Sequence, residues 1–172
     1  MPETQKGGQW PKEVLKDLIT GKLDSETLRK MQTQPKDENR FEKMLEIEQE
    51  RVSWKEKILL PLQEHLYIVQ KKDSSRIVKG SCGHEFGVYT ENWKLNALIN
   101  ERPANDGEIH RGARQADPEW CVLREFFCPG CGTQLEVEVV PHGYPILMNV
   151  LPDLDGFYAK HPQLLEKITK GC

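Results

Sequence analysis

Apolar residues recur at helical spacing over the first third of the chain, and near Ile58 the pattern changes to runs of β-branched and aromatic residues. Val14, Leu15, Leu18 and Ile19 fall on one helical face behind Pro11, which suits a first helical turn, and Gly21 ends the run. Asp24 or Ser25 caps a second short helix carrying Leu28 and Met31, and Pro35 breaks it. Asp37 opens a third, with Phe41, Met44 and Leu45 and a continuation from Glu48 to Val52. The apolar stripe of these helices is thin. Two readings stand: a solvated helical hairpin packed on its own domain, or an arm lying across another subunit, because such helices bury little by themselves.

Past that point, Ile58-Leu59-Leu60-Pro61-Leu62 leads into His65–Gln70, which reads as a strand. Lys71–Ser75 is a polar turn and Arg76–Lys79 returns as a second strand. Val122–Phe127 and Leu135–Val140 form two more around a tight turn. Residues 101–118 are polar, hold glycines and prolines without a period, and read as a long loop. Pro141, Pro145 and Pro152 predict an extended, irregular C-terminal stretch, finished by a short helix over Pro162–Lys170.

Composition narrows the function. Lys and Arg number 24 against 27 Asp and Glu, giving a net charge of −3 and a pI near 6.0. That runs against a nucleic-acid binder driven by phosphate neutralisation. No apolar run approaches the about 20 residues a bilayer span needs, and the polar stretch Met1–Lys12 has no apolar signal core. The expectation is a cytoplasmic protein that meets neither membrane nor nucleic acid. In that setting five cysteines are better read as metal ligands or redox groups than as structural disulfides.

The strongest chemical signal is Cys128-Pro129-Gly130-Cys131-Gly132, between two predicted strands. Backbone amides in so tight a turn can point at the sulfurs, and both thiolates then face one point in space. A tetrahedral zinc needs two more ligands. Ser81-Cys82-Gly83-His84 lies upstream, just after another strand, with 46 residues from Cys82 to Cys128. Cys82 and His84 would complete a Cys₃His site, although Lys79 stands where a standard zinc ribbon has its second cysteine. The fourth ligand is therefore His84, another histidine or a solvent molecule. The competing reading is a Cys128–Cys131 redox dithiol, but such pairs normally open a helix in a βαβ unit. Four protein ligands would make the zinc structural, pinning two hairpins together.

Cys121 reads as a small buried hydrophobe and Cys172 as a free thiol, while His65, His110, His142 and His161 have no partner pattern. Phosphate-binding glycine loops, a nucleophile elbow and a His-Glu-x-x-His motif do not occur in the sequence, so no catalytic residue is expected. The fold expected is α+β. Residues 1–57 make a helical N-terminal arm, 58–140 a small antiparallel β domain of zinc-ribbon type, and 141–172 an extended segment with a short helix.

Six stretches, taken in order and spacing, resemble the gamma subunits of the ketone carboxylases of the acetone type. They are Ile58–Leu62, Leu66–Gln70, Cys82–Phe86, Asn92–Leu95, Arg124–Gly132 and Pro152–Tyr158. The resemblance implies a cytoplasmic heteromer of alpha, beta and gamma subunits, two of each. It implies ATP-dependent activation of a ketone and bicarbonate, with acetone giving acetoacetate. Nucleotide, Mg²⁺ and Mn²⁺ would belong to the larger partners, and the gamma subunit would carry zinc without performing the chemistry. Cys82, Cys128 and Cys131 match the family's metal positions, with His84 as the further candidate. The thin arm and irregular C-terminal stretch suit a chain that wraps larger partners and makes up its core there. The alternatives are a gamma-type subunit of an acetophenone or other ketone carboxylase, a zinc-ribbon module for nucleic acid, and a free-standing zinc hydrolase with water as fourth ligand.

Overall fold

The computed structural model describes residues 10–107 and 116–170, with the backbone alone over 167–170. The chain divides into two compact units, Met1–Arg51 and Val52–Cys172.

The first unit holds α1 (Lys12–Ile19), α2 (Ser25–Thr33) and α3 (Arg40–Arg51). Helix α1 is closed by paired backbone bonds, Lys22 N–H to the Asp17 carbonyl at 2.8 Å and Gly21 N–H to that of Leu18 at 3.3 Å. Asp24 caps α2 by accepting from the Thr27 amide at 2.9 Å. Leu15, Met31 and Ile47 are buried together, with Val14, Leu18, Leu23 and Met44 packed around them. Asp37 departs from expectation. Helix α3 begins three residues later, and the buried Asp37 carboxylate instead accepts from the Trp10 amide at 2.8 Å and the Lys43 ammonium at 3.0 Å. Lys43 also donates to the Trp10 carbonyl, so this carboxylate ties the lead-in to α1 onto α3.

The second unit contains two antiparallel sheets. The first has β1 (Lys57–Gln63), β2 (Leu66–Gln70), β3 (Arg76–Gly80) and β4 (Glu85–Val88), in chain order. Central β2 is buried from Leu66 to Val69, as a run of β-branched and aromatic residues should be. Pro61 sits in the edge strand β1, where its missing N–H costs no ladder bond, and the β1–β2 register shifts at two places. A short 3₁₀ turn, Trp93–Asn96, leads to the second sheet of β5 (Leu98–Pro103), β6 (Cys121–Phe127) and β7 (Gln134–Pro141). Helices α4 (Leu154–Lys160) and α5 (Pro162–Lys170) follow.

Leu59, Leu66, Ile68, Val78 and Phe86 from the first sheet share one core with Trp93, Phe126, Cys128, Leu154 and Tyr158. An edge-to-face aromatic series runs Phe86–Trp93–Phe126, with centroids 5.9 and 6.1 Å apart. The Tyr158 hydroxyl donates to the Leu59 carbonyl at 2.7 Å, fastening α4 to β1.

The α+β class and the antiparallel strands agree with the sequence reading, which expected four strands in one β domain and missed β1, β4, β5, the 3₁₀ turn and α4. Glu101–Pro103, read as loop, belong to β5, where pairing with β6 overrides weak strand propensity. Strand β4 and helix α4 were also unexpected, so the stretch from Leu154 is helical rather than extended. Cys121 is half-exposed at the start of β6, not buried. Among the described residues no helix is long and apolar enough to cross a membrane. His110 and Cys172 lie outside the described residues.

Candidate metal centre

Two hairpin tips build the site. At the β3–β4 tip, the Gly80 N–H donates to the His84 carbonyl at 2.8 Å and the Gly83 N–H to that of Gly80 at 2.9 Å. Gly83 takes a φ of +96°, a left-handed geometry that spares the turn a side-chain clash. Trp54 supports this tip from beneath. Its indole N–H reaches the carbonyls of Gly80 and Ser81 at 3.1 and 3.3 Å, and the buried Lys79 ammonium lies 5.3 Å from its ring centroid. Lys79 is paired with Glu56, and that ion pair holds the Glu56 carboxyl below its usual range.

At the β6–β7 tip, the Cys128 N–H bonds the Thr133 carbonyl and the Gly132 N–H the Cys128 carbonyl, both at 2.8 Å. Gly132 has φ +72°. The amides of Gly130 and Cys131 point at the Cys128 sulfur, as so tight a turn requires.

The two tips bring Cys82, Cys128 and Cys131 together, with their sulfurs all within 4.8 Å of one another. Cys82 and Cys128 approach to 3.5 Å. A tetrahedral centre with metal–sulfur bonds of about 2.3 Å has sulfur–sulfur edges of about 3.8 Å, so the set fits one ion. Gly130 is part of the cradle. A Cβ there would come within 3.0 Å of the His84 Cβ and 3.3 Å of the Cys82 sulfur. His84 is half-buried beside the thiols but is not a donor of the three-sulfur group, and its ring stands edge-on to Phe86 at 4.8 Å. No other described histidine belongs to the donor group: His142 bonds the Pro118 carbonyl, His161 packs on Phe157, and the His65 carbonyl accepts from the Ser81 amide.

The electrostatics of the thiols are unequal. Burial pushes the Cys128 thiol up to about 11, against the pull of the turn amides. The Thr133 hydroxyl, 3.1 Å away, brings Cys131 down to about 7. Cys131 is thus ready as a thiolate near neutrality, whereas Cys128 would release its proton to solvent only on binding a cation. Three soft sulfur donors suit a thiophilic metal ion.

A second polar cluster went unread in the sequence. Lys94 is fully buried, and its ammonium meets Glu136 at 2.8 Å, Glu138, and the Asn149 side-chain oxygen at 2.8 Å, 5.1 Å from the Phe126 ring centroid. Beside it Arg124 binds Glu101 at 2.6 Å and the Tyr144 carbonyl at 2.9 Å. The only sequence signal was the pair Glu136 and Glu138, two residues apart in β7, which reads equally well as a solvated face.

The family model described as acetone carboxylase gamma subunit matches residues 52–162. The chain is 44% identical over 145 residues to the acetone carboxylase gamma subunit of Xanthobacter autotrophicus strain Py2, covering 83% of this chain and 86% of that protein. It is 33% identical over 85 residues to the acetophenone carboxylase beta subunit of Aromatoleum aromaticum, covering 46% of this chain and 64% of that protein.

Proposed function

Since this chain belongs to the acetone carboxylase gamma-subunit family, we propose that it is the zinc-holding, non-catalytic subunit of a cytoplasmic ATP-dependent ketone carboxylase whose ketone is acetone. The observation that carries this reading is the convergence of three sulfurs on two hairpin tips, in a chain 44% identical to an acetone carboxylase gamma subunit. Cys82, Cys128 and Cys131 would hold the zinc. His84 would be the fourth ligand, since its Cβ and the Cys82 sulfur share the space in front of Gly130. Bound zinc supplies a cross-link that holds the two tips of a zinc-ribbon-like body together.

The chain's own residues orient that cross-link. Trp54 holds the Gly80 and Ser81 carbonyls, Thr133 stabilises the Cys131 thiolate, and the Gly130 and Cys131 amides stabilise that of Cys128. In this reading residues 1–57 are an arm, 58–140 the zinc-bearing body and 141–172 a segment for contact with partners. Joining the ketone to bicarbonate at the expense of ATP, with Mg²⁺ and Mn²⁺, belongs to larger alpha and beta subunits in an assembly of two of each chain. The sequence has no phosphate-binding loop for that work.

Isolation of the native complex tests the reading. The expected result is a particle far above 19.9 kDa that contains larger subunits, consumes ATP with acetone, and carries zinc in proportion to this chain. A zinc-free preparation, or a chain that elutes alone from native cells, overturns it.

A further inference from the structure

Between Pro141 and Pro152 the chain has no Asp, Glu, Lys or Arg, although 30% of the whole sequence is charged. The described structure gives this segment no helix or strand beyond Pro141, the last residue of β7. It is nevertheless held firmly, and its polarity is inverted. Polar groups fix its inner side: the Tyr144 carbonyl accepts from Arg124 at 2.9 Å, the Ile146 carbonyl from Asn92 at 2.9 Å, and Asn149 lies between Lys94 and Glu136. Beside the exposed His142 and Asn149, the outer side carries four large apolar side chains. Tyr144, Leu147, Val150 and Leu151 are 43–58% exposed.

A free-standing surface loop would have the opposite arrangement, with polar groups toward water. Buried ions are expensive to desolvate, yet here they hold in place a surface that water does not favour. An uncharged patch with an aromatic residue and leucines has the composition of an interface core rather than of an ordinary monomer surface.

We propose that residues 141–152 form a preformed docking edge for one of the larger carboxylase subunits, seated in an apolar, uncharged groove of that partner. This rests on the subunit reading above, and it names the surface that makes the contact. The gamma-subunit family supplies the reason to expect another chain here. The absence of any Lys or Arg in the segment argues against an anionic membrane as occupant.

The test co-produces the full chain with the two larger subunits and compares wild type with a triple variant, Leu147→Asp, Val150→Asp and Leu151→Asp. These side chains are exposed, so the isolated variant keeps its circular dichroism spectrum and its metal content. The expected result is a loss of co-elution with the larger subunits of at least about tenfold, equivalent to about 1.4 kcal/mol. A control, Val88→Asp, at an exposed apolar site on β4 of the first sheet, assembles as wild type does. Hydrogen exchange on the unaltered complex gives a second readout: amides of 141–152 become protected on assembly. A triple variant that assembles at the wild-type ratio, with no such protection, overturns the docking edge and leaves the subunit reading intact. A wild-type chain that ignores the larger subunits overturns both. An isolated wild type that self-associates through these residues, or binds phosphatidylcholine–phosphatidylglycerol vesicles through them, assigns the edge to a different occupant and overturns the proposal.

Discussion

At the hairpin tips of the second unit, three sulfurs converge with no positive charge among the donors. Along the β6–β7 surface, two cations, Lys94 and Arg124, meet three carboxylates, Glu101, Glu136 and Glu138. Both clusters join segments far apart in sequence. The ionic cluster brings its own counter-charges, although the buried Arg124 Nη1 and Glu136 Oε2 find no hydrogen-bond partner among the described residues. The sulfur cluster consists of donors alone, so under the proposed reading its full contribution would come only with a cation taken up from solution. A small domain can thus fasten its ends in two ways, one internal to the chain and one conditional on metal supply.

The sharpest way to separate the two clusters is Cys128→Ser. This removes the one fully buried sulfur of the three and, if the proposed metal is bound there, its contribution to folding. For structural zinc in small peptides that contribution is on the order of 10 kcal/mol at neutral pH. Elemental analysis should find the metal lost, and a chelator should lower the melting temperature of wild type to that of the variant without affecting the variant. A variant that retains full metal content would remove Cys128 from the ligand set.

Lys94→Met addresses the other cluster. Glu136 and Glu138 would be left without their buried cation, and breaking such a pair costs about 3–5 kcal/mol. Urea unfolding measures this, and metal content should stay at the wild-type level, which is where the two clusters part. A loss below about 1 kcal/mol would mean that the fold does not depend on the ionic cluster.

Tyr158→Phe has the smallest effect, about 1 kcal/mol, from the lost bond to the Leu59 carbonyl. It also carries a pH signature. Burial pushes the Tyr158 phenol from 10.0 up to about 12, so the folded state favours the neutral form. Its contribution is complete below pH 10 and falls away between pH 10 and about 12. Alkaline unfolding curves of wild type and variant should therefore converge across that interval.

What could be read in the sequence follows the range of the interactions. Helices α1 and α2 announce themselves through apolar spacing, Asp24 and Gly21, all local signals. Strands β2, β3, β6 and β7 do so through β-branched runs. Strand β5, Leu-Ile-Asn-Glu-Arg-Pro, owes its form to register with β6, and Gly156 disguised α4, which is capped by Asp153 through the Gly156 amide itself. At the site, Cys128-Pro129-Gly130-Cys131 was legible because a turn chemistry fixes both sulfurs. The edge-on packing of His84 against Phe86 was not, because it depends on a side-chain rotation that spacing does not encode. Lys94 was hidden for a further reason: nothing local distinguishes a charge that will be enclosed from one that stays wet.

Pro61 bears on the interval before assembly. A subunit made apart from its partners presents sheet borders to every identical copy it meets, and an open border invites a foreign strand to zip on. With no N–H at Pro61 and an irregular β1 register, the β1 border of the first sheet offers a broken template to a foreign strand.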